Sequence, residues 1–285
     1  MATHSDSALA AYNGVRIPAF MYGTAWKKEA TAHLVQLAVT SGFRAIDTAN
    51  QLIHYHEALV GEALQVLENN GIKRDTLFVQ TKFTPVGGQG GQPPYNPDAD
   101  LTTQVNQSCD SSLAHLGTDY IDSYVLHAPY SRRGLGAADW EVWAAMEKLY
   151  HLGTTKMIGV SNITAGQLTE LCEQANIKPM VVQNRCFAAL GWDREVRQIC
   201  RTHGVIYQGF SLLTANREVL IYPEIMRIAK RLNAGPAQVI FRFAMQVGML
   251  PLTGTTSRQH MKEDLEAERL TLSAEEVRQI EDIAQ

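Results

Sequence analysis

The stretch LFVQTK, residues 77–82, decides the fold: a short apolar run that closes on a lysine. Two other runs are built alike. FRAID (43–47) closes on Asp47 and IDSYVLH (121–127) on His127, with Tyr55 just beyond the first of them. An ammonium at the end of a buried run is costly unless a partner offsets it. In a barrel of parallel strands all strand C-termini lie on one face, the face that carries catalysis. Asp47, Lys82 and His127 would therefore converge there from distant parts of the chain.

The same rhythm extends to both sides. AFMYG (19–23), TKMIGVS (155–161), PMVVQN (179–184), GVIYQGFS (204–211) and MLPLTG (249–254) bring the candidate strands to eight. The segments TAHLVQLAVTSG, HEALVGEALQVLENNG, TTQVNQSCDSSLAHLG, AADWEVWAAMEKLYHLG and TAGQLTELCEQAN repeat apolar residues at i, i+3 and i+4, and several close on a Gly suited to a C-cap. Parallel strands demand crossovers of this kind. The expected fold is α/β, a (β/α)8 TIM barrel, as a single domain over residues 1–285; such a barrel needs only about 250 residues.

Two segments break the rhythm. TPVGGQGGQPPYNPDAD (84–100) follows Lys82 and YSRRGLGAAD (130–139) follows His127, both placed to shape access to the catalytic face. The bland alternative for both is a disordered surface insertion. A net charge of -4 and pI near 6.1 offer no basic surface, so neither nucleic acid nor a membrane is expected as a partner. The start, MATHSDSALAAYNG, resembles no signal sequence, and no run reaches the roughly 18 apolar residues of a membrane span. Cys109, Cys172, Cys186 and Cys200 lack CxxC spacing and read as reduced thiols. The expected setting is the cytoplasm; the oligomeric state stays open.

Asp47, Tyr55, Lys82 and His127 make a chemically sensible set. An ammonium beside a phenol stabilises phenolate and lowers its pKa, a carboxylate holds the lysine, and a histidine orients an incoming oxygen. Such a set donates a proton to a carbonyl oxygen while hydride reaches the carbon, and needs no metal. Each residue has a plain structural alternative: a helix N-cap, a paired core lysine, a satisfied core histidine, an exposed loop aromatic between His54 and His56. Their coincidence at successive strand ends favours chemistry.

The segments MYGTAW, AIDTANQLIHYHEALVG, FVQTKF, LGTDYIDSYVLHAP, KMIGVSN, VVQN and GFSLL, in this order, resemble the aldo-keto reductase superfamily across residues from about 15 to 270. That resemblance implies a barrel using NADPH, with NADH possible, to reduce a small-molecule aldehyde or ketone, with Asp47, Tyr55, Lys82 and His127 as the catalytic tetrad and Tyr55 as proton donor. It further implies Ser161, Asn162 and Gln183 at the nicotinamide carboxamide and Phe210 against the nicotinamide ring. Ser211, Leu212 and Leu213 would follow the pyrophosphate. Gly23, Thr24 and Asp47 would also be cofactor-binding, and Thr253, Gly254, Thr255, Thr256, Arg258 and Asp264 would hold the adenine end. No metal is implied, and no GxGxxG is needed when the dinucleotide crosses a barrel mouth.

Four departures from the family pattern carry expectations. Asp47 to Tyr55 is eight residues, longer than usual, so ANQLIHYHE must loop out, and His54 is an alternative acid. Leu252 replaces a basic residue and His260 stands near the usual arginine, leaving Arg258 and Lys262 to meet a 2′-phosphate. The chain ends soon after LSAEEVRQIEDIAQ, without the family's long C-terminal loop, which implies an open site. Phe83 follows the lysine and Ala128 stands where a larger residue is common, which widens the pocket. Two rival readings remain at this level: a cofactor-binding regulatory subunit or pseudoenzyme, as among potassium-channel β-subunits of the superfamily, and a metal-dependent hydrolase built on HYH (54–56).

Overall fold

The computed structural model describes residues 8–283. Eight parallel strands close a barrel in the order β10-β3-β4-β5-β6-β7-β8-β9: β3 (Met21–Gly23), β4 (Ala45–Asp47), β5 (Phe78–Phe83), β6 (Ser123–Leu126), β7 (Ile158–Ser161), β8 (Val181–Arg185), β9 (Ile206–Phe210) and β10 (Met249–Thr253). Each of the eight expected strands is present, most of them trimmed at an end. Closure comes from β10 pairing with β3, Leu252 opposite Met21 and Thr253 opposite Tyr22. Helices surround the sheet, among them α1 (Thr31–Ser41), α2 (Glu57–Asn69), α3 (Leu101–Leu116), α4 (Ala137–His151), α5 (Ala165–Gln174), α6 (Arg194–His203), α7 (Pro223–Leu232), α8 (Pro236–Gln246), α9 (Arg258–Glu266) and α10 (Ala274–Glu281). No helix among the described residues is long and apolar enough to cross a membrane.

Side-chain alternation along each strand divides the core in two. Residues such as Tyr22, Ile46, Val79, Phe83, Tyr124 and Val182 point outward into the helix layer. Met21, Ala45, Phe78, Val125, Met157, Val181, Ile206 and Leu250 form an inner cluster at the lower end of the barrel. An antiparallel hairpin unanticipated from the sequence, β1 (Ala8–Ala10) with β2 (Arg16–Pro18), lies against that end and adds Ala11 and Ile17 to the same cluster. Ile17 is fully buried there, a placement that contributes roughly 1.5–3 kcal/mol. The lower rim is tied by Asp122, which pairs with Arg74 at 2.8 Å and Lys156 at 3.0 Å and accepts from the Val79 N–H.

Helices α2 and α3 meet at Gly61, where an added Cβ would lie 1.8 Å from the His115 carbonyl oxygen. Only glycine permits this approach. Gly61→Ala is therefore expected to destabilise the fold by about 1–3 kcal/mol through overpacking, read as a lower denaturant midpoint in chemical unfolding. An unchanged midpoint would mean that α2 shifts freely.

Candidate active site

The same alternation loads the barrel interior from floor to mouth. On β5, Phe78 belongs to the apolar floor; Gln80 and Lys82 follow on the same face. On β8 the inward order is Val181 then Gln183; on β9 it is Ile206, Gln208, Phe210. Barrel interiors are usually filled by branched apolar residues. Here the upper layers are polar, and they converge on Asp47.

Lys82 Nζ donates to Asp47 Oδ1 at 2.7 Å and to the Thr48 carbonyl at 2.8 Å, with both partners almost wholly removed from solvent. The ammonium lies 5.2 Å from the centre of the Tyr55 ring. His127 faces that ring edge-on, with centroids 6.0 Å apart, and its Nδ1 lies 2.7 Å from Thr84 Oγ1. The four residues singled out in the sequence are thus gathered at one barrel mouth.

Tyr55 reaches this position because the preceding segment loops out. Leu52 and Ile53 are exposed, the Tyr55 N–H donates to the Gln51 carbonyl at 3.0 Å, and the Tyr55 side chain is buried. His54 turns the other way and packs on Trp26 at 4.2 Å, with the Trp26 N–H donating to the His54 carbonyl. Of the two residues considered as acid, Tyr55 is the one beside Lys82.

The electrostatics differ in one respect from the sequence expectation. Burial, and then the Asp47 charge, push the Tyr55 phenol well above its ordinary value, so the lowering expected from the neighbouring ammonium does not prevail. The phenol stays protonated at any working pH. Lys82 is pulled down by burial, against the Asp47 charge and hydrogen bond and the more distant Glu57. Burial, with Lys82 and His54 adding repulsion, lowers His127 from 6.5 to about 3, which keeps it neutral. Stability gained from this neutral imidazole is fully present above pH 6.5 and is lost as pH falls from there toward 3, where only the unfolded chain binds the proton.

The remaining candidate residues divide by position. Asn162 and Ser211 sit at strand ends with φ of 56° and 57°, left-handed conformations that non-glycine residues adopt at a cost. Asn162 Nδ2 donates to the His127 carbonyl and Ser161 Oγ to the Gln183 carbonyl, whereas Asn162 Oδ1 and Gln183 Oε1 receive no donor from the described residues. Those two open acceptors suit the N–H2 of a carboxamide. Phe210 lines the mouth with the Arg185 guanidinium 5.5 Å from its ring. Gly23 ends β3 opposite Asp47, beside the Thr253 carbonyl. Thr24, by contrast, is fully buried and its hydroxyl is engaged by the Asp47 carbonyl, and Leu212 is packed in the outer core; these two support the site from behind. Leu213 is half-buried.

Beyond β10, Thr253 Oγ1 donates to Asp264 Oδ2 at 2.8 Å, and burial raises Asp264 to about 6. Gly254 accepts from Lys27 Nζ, and the Thr255 carbonyl from the Tyr22 hydroxyl at 3.0 Å. Ser257 caps α9 through His260 N; Thr256 and Arg258 are exposed beside that helix start and Lys262 one turn further along, and Arg258 makes no hydrogen bond or ion pair with the described residues. Leu252 is buried in the inner cluster, so no cation stands at that position. The residues present fit a dinucleotide: open amide acceptors at one end, a helix N-terminus with free basic side chains at the other.

The long loop after Lys82 is ordered, not a loose insertion. Gln89 Nε2 bonds the Asn50 and Thr84 carbonyls, Tyr95 OH bonds the Thr84 carbonyl at 2.7 Å, and Gln51 Nε2 bonds the Gly88 carbonyl at 2.6 Å. Residues passed over in the sequence also reach the site: Gln80, Gln208, Thr84 and Arg185. Gln80 and Gln208 stand two positions before Lys82 and Phe210, and strand period alone was a signal for them. Among the described residues no group of three or more His, Cys, Asp or Glu is gathered as a metal site.

The chain is 30% identical to an uncharacterized oxidoreductase, YtbE, of Bacillus subtilis, over 99% of this chain and 94% of that one. It is also 30% identical to a 9,11-endoperoxide prostaglandin H2 reductase of Trypanosoma cruzi, over 95% and 89% respectively. Among solved structures, an aldo/keto reductase from Brucella melitensis superposes with a TM-score of 0.83 at 26% identity, covering 98% of this chain and all of that one. The profile of the Aldo/keto reductase family matches residues 19–285, and the chain belongs to that family.

Proposed function

We propose that the protein reduces an aldehyde or ketone to the alcohol with NADPH, Tyr55 giving the proton. The observation that carries this reading is the Lys82 and Asp47 pair, buried beneath the Tyr55 ring with His127 across from it. The reduced nicotinamide supplies the hydride when bound. The chain's own residues do the rest. The carbonyl oxygen is held between the Tyr55 hydroxyl and the His127 imidazole, and a phenol kept protonated by burial gives up its proton only as negative charge develops on that oxygen. In the tautomer that serves this role, Thr84 Oγ1 donates to Nδ1 and the His127 proton sits on Nε2.

The rim supports a carbonyl with an apolar body, since Trp26, Leu52, Ile53, Val86 and Tyr130 are exposed in the loops that follow the strands. The NADPH preference rests on Arg258 and Lys262 at the start of α9. One fold neighbour, an aldo-keto reductase at 23% identity, was solved in complex with NADPH.

Tyr55→Phe is expected to lower turnover by a factor on the order of 10² or more while leaving the NADPH dissociation constant nearly unchanged. Retained turnover would move the acid to His54 or to water. In the wild type, the pH profile should lack a limb near 6.5, because His127 stays neutral there. For the cofactor, NADPH is expected to bind more tightly than NADH, with Arg258→Ala reducing that ratio; dissociation constants from tryptophan fluorescence quenching decide it. A ratio unchanged in the variant would remove Arg258 from the phosphate.

A further inference from the structure

Three glutamines meet across the barrel beneath the candidate site. Gln80 comes from β5, Gln183 from β8 and Gln208 from β9, and all three are buried. Asp47 Oδ1 accepts from Gln80 Nε2 at 2.8 Å and from Gln183 Nε2 at 3.0 Å, besides Lys82 Nζ. Gln208 Oε1 accepts from the same two nitrogens, at 2.8 and 3.0 Å. Gln208 Nε2 in turn donates to Gln80 Oε1 at 3.0 Å.

An amide can present either end, but this circuit leaves no choice. A carboxylate only accepts, so Gln80 and Gln183 must both turn N–H2 toward Asp47. Each amide nitrogen has two hydrogens, and the second of each falls on Gln208 Oε1. The acceptor end of Gln208 is thereby fixed toward them, and its nitrogen is left for Gln80 Oε1. Of the three amide oxygens, Gln183 Oε1 alone then receives no donor from the described residues.

We propose that Gln80 and Gln208 are positioning residues which, under the charge of Asp47, lock the Gln183 amide so that it offers an acceptor to the carboxamide N–H2 of a nicotinamide. This rests on reading the barrel mouth as a nicotinamide site. It makes recognition of the carboxamide a property of the buried circuit as well as of the residue that touches it. Without Gln208 Oε1, the Gln183 amide keeps only its bond to Asp47 and its acceptor is held less firmly toward the mouth.

The test compares binding of NADPH with its acetylpyridine analogue, in which a methyl group replaces the amide N–H2, using tryptophan fluorescence quenching on the full chain. The wild type should prefer NADPH by about tenfold, the worth of one well-made hydrogen bond. In Gln208→Leu the two should bind within about twofold of each other, with affinity for the analogue nearly kept. A merely structural role would weaken both forms alike and leave the ratio intact, and that outcome overturns the proposal. If Gln208→Leu does not fold, Gln80→Leu, which frees Gln208 from the other side, carries the same expectation and the same risk. Failure of the wild type to bind either dinucleotide would instead overturn the nicotinamide reading itself.

Discussion

The ion pair between Lys82 and Asp47 is the constraint on which the rest of the site depends. Taking an ammonium and a carboxylate out of water costs several kcal/mol per ion, and their attraction offsets this only with good geometry and further hydrogen bonds. Both conditions are met: the contact is 2.7 Å, the ammonium has a second acceptor in the Thr48 carbonyl, and Asp47 Oδ1 collects two amide donors besides. An apolar pair of similar volume would hold the barrel together at least as well. A charged pair at this depth orients the glutamines around it, and it adds to the burial that keeps Tyr55 protonated and His127 neutral.

The barrel supplies the pair through two adjacent strands. Register sets Ala45 opposite Phe78 and Asp47 opposite Gln80, so the carboxylate lies one inward position below Lys82, within reach of its extended side chain. The lower end is closed by the β1 and β2 hairpin and its apolar cluster, which keeps water from reaching the circuit from below. The upper end is shaped by loops pinned to their neighbours. Stability is thus concentrated at the floor and function at the mouth, the division usual for parallel barrels.

The barrel was legible in the sequence because eight apolar runs alternate with segments of helical period, and three of those runs close on a titratable residue. Tetrad residues stood out for the same reason, since Lys82 in an apolar run has few structural excuses. The hairpin was not legible: ALA and RIP are three-residue strands with no sustained alternation, and only contact with the barrel floor gives them a reason to form. Gln80 and Gln208 were passed over because a glutamine within a strand carries no chemistry alone; its role exists only where strands distant in sequence meet. Thr24 and Leu212 show the converse. Their motif positions are matched, yet the structure gives them supporting places behind the site. The phenol's raised pKa was beyond sequence as well, because burial is its largest cause, with the Asp47 charge adding to it, and burial is a property of the assembled mouth.

The most direct measurement of the central claim is single-turnover oxidation of NADPH on rapid mixing with an aromatic aldehyde, in wild type and in Lys82→Met, with NADPH binding measured first by fluorescence quenching. If the buried pair organises catalysis, both proteins bind NADPH, the wild type oxidises it in a single fast phase, and Lys82→Met is slower by a factor on the order of 10² or more. A Lys82→Met protein that folds, binds NADPH and oxidises it at the wild-type rate would contradict the account.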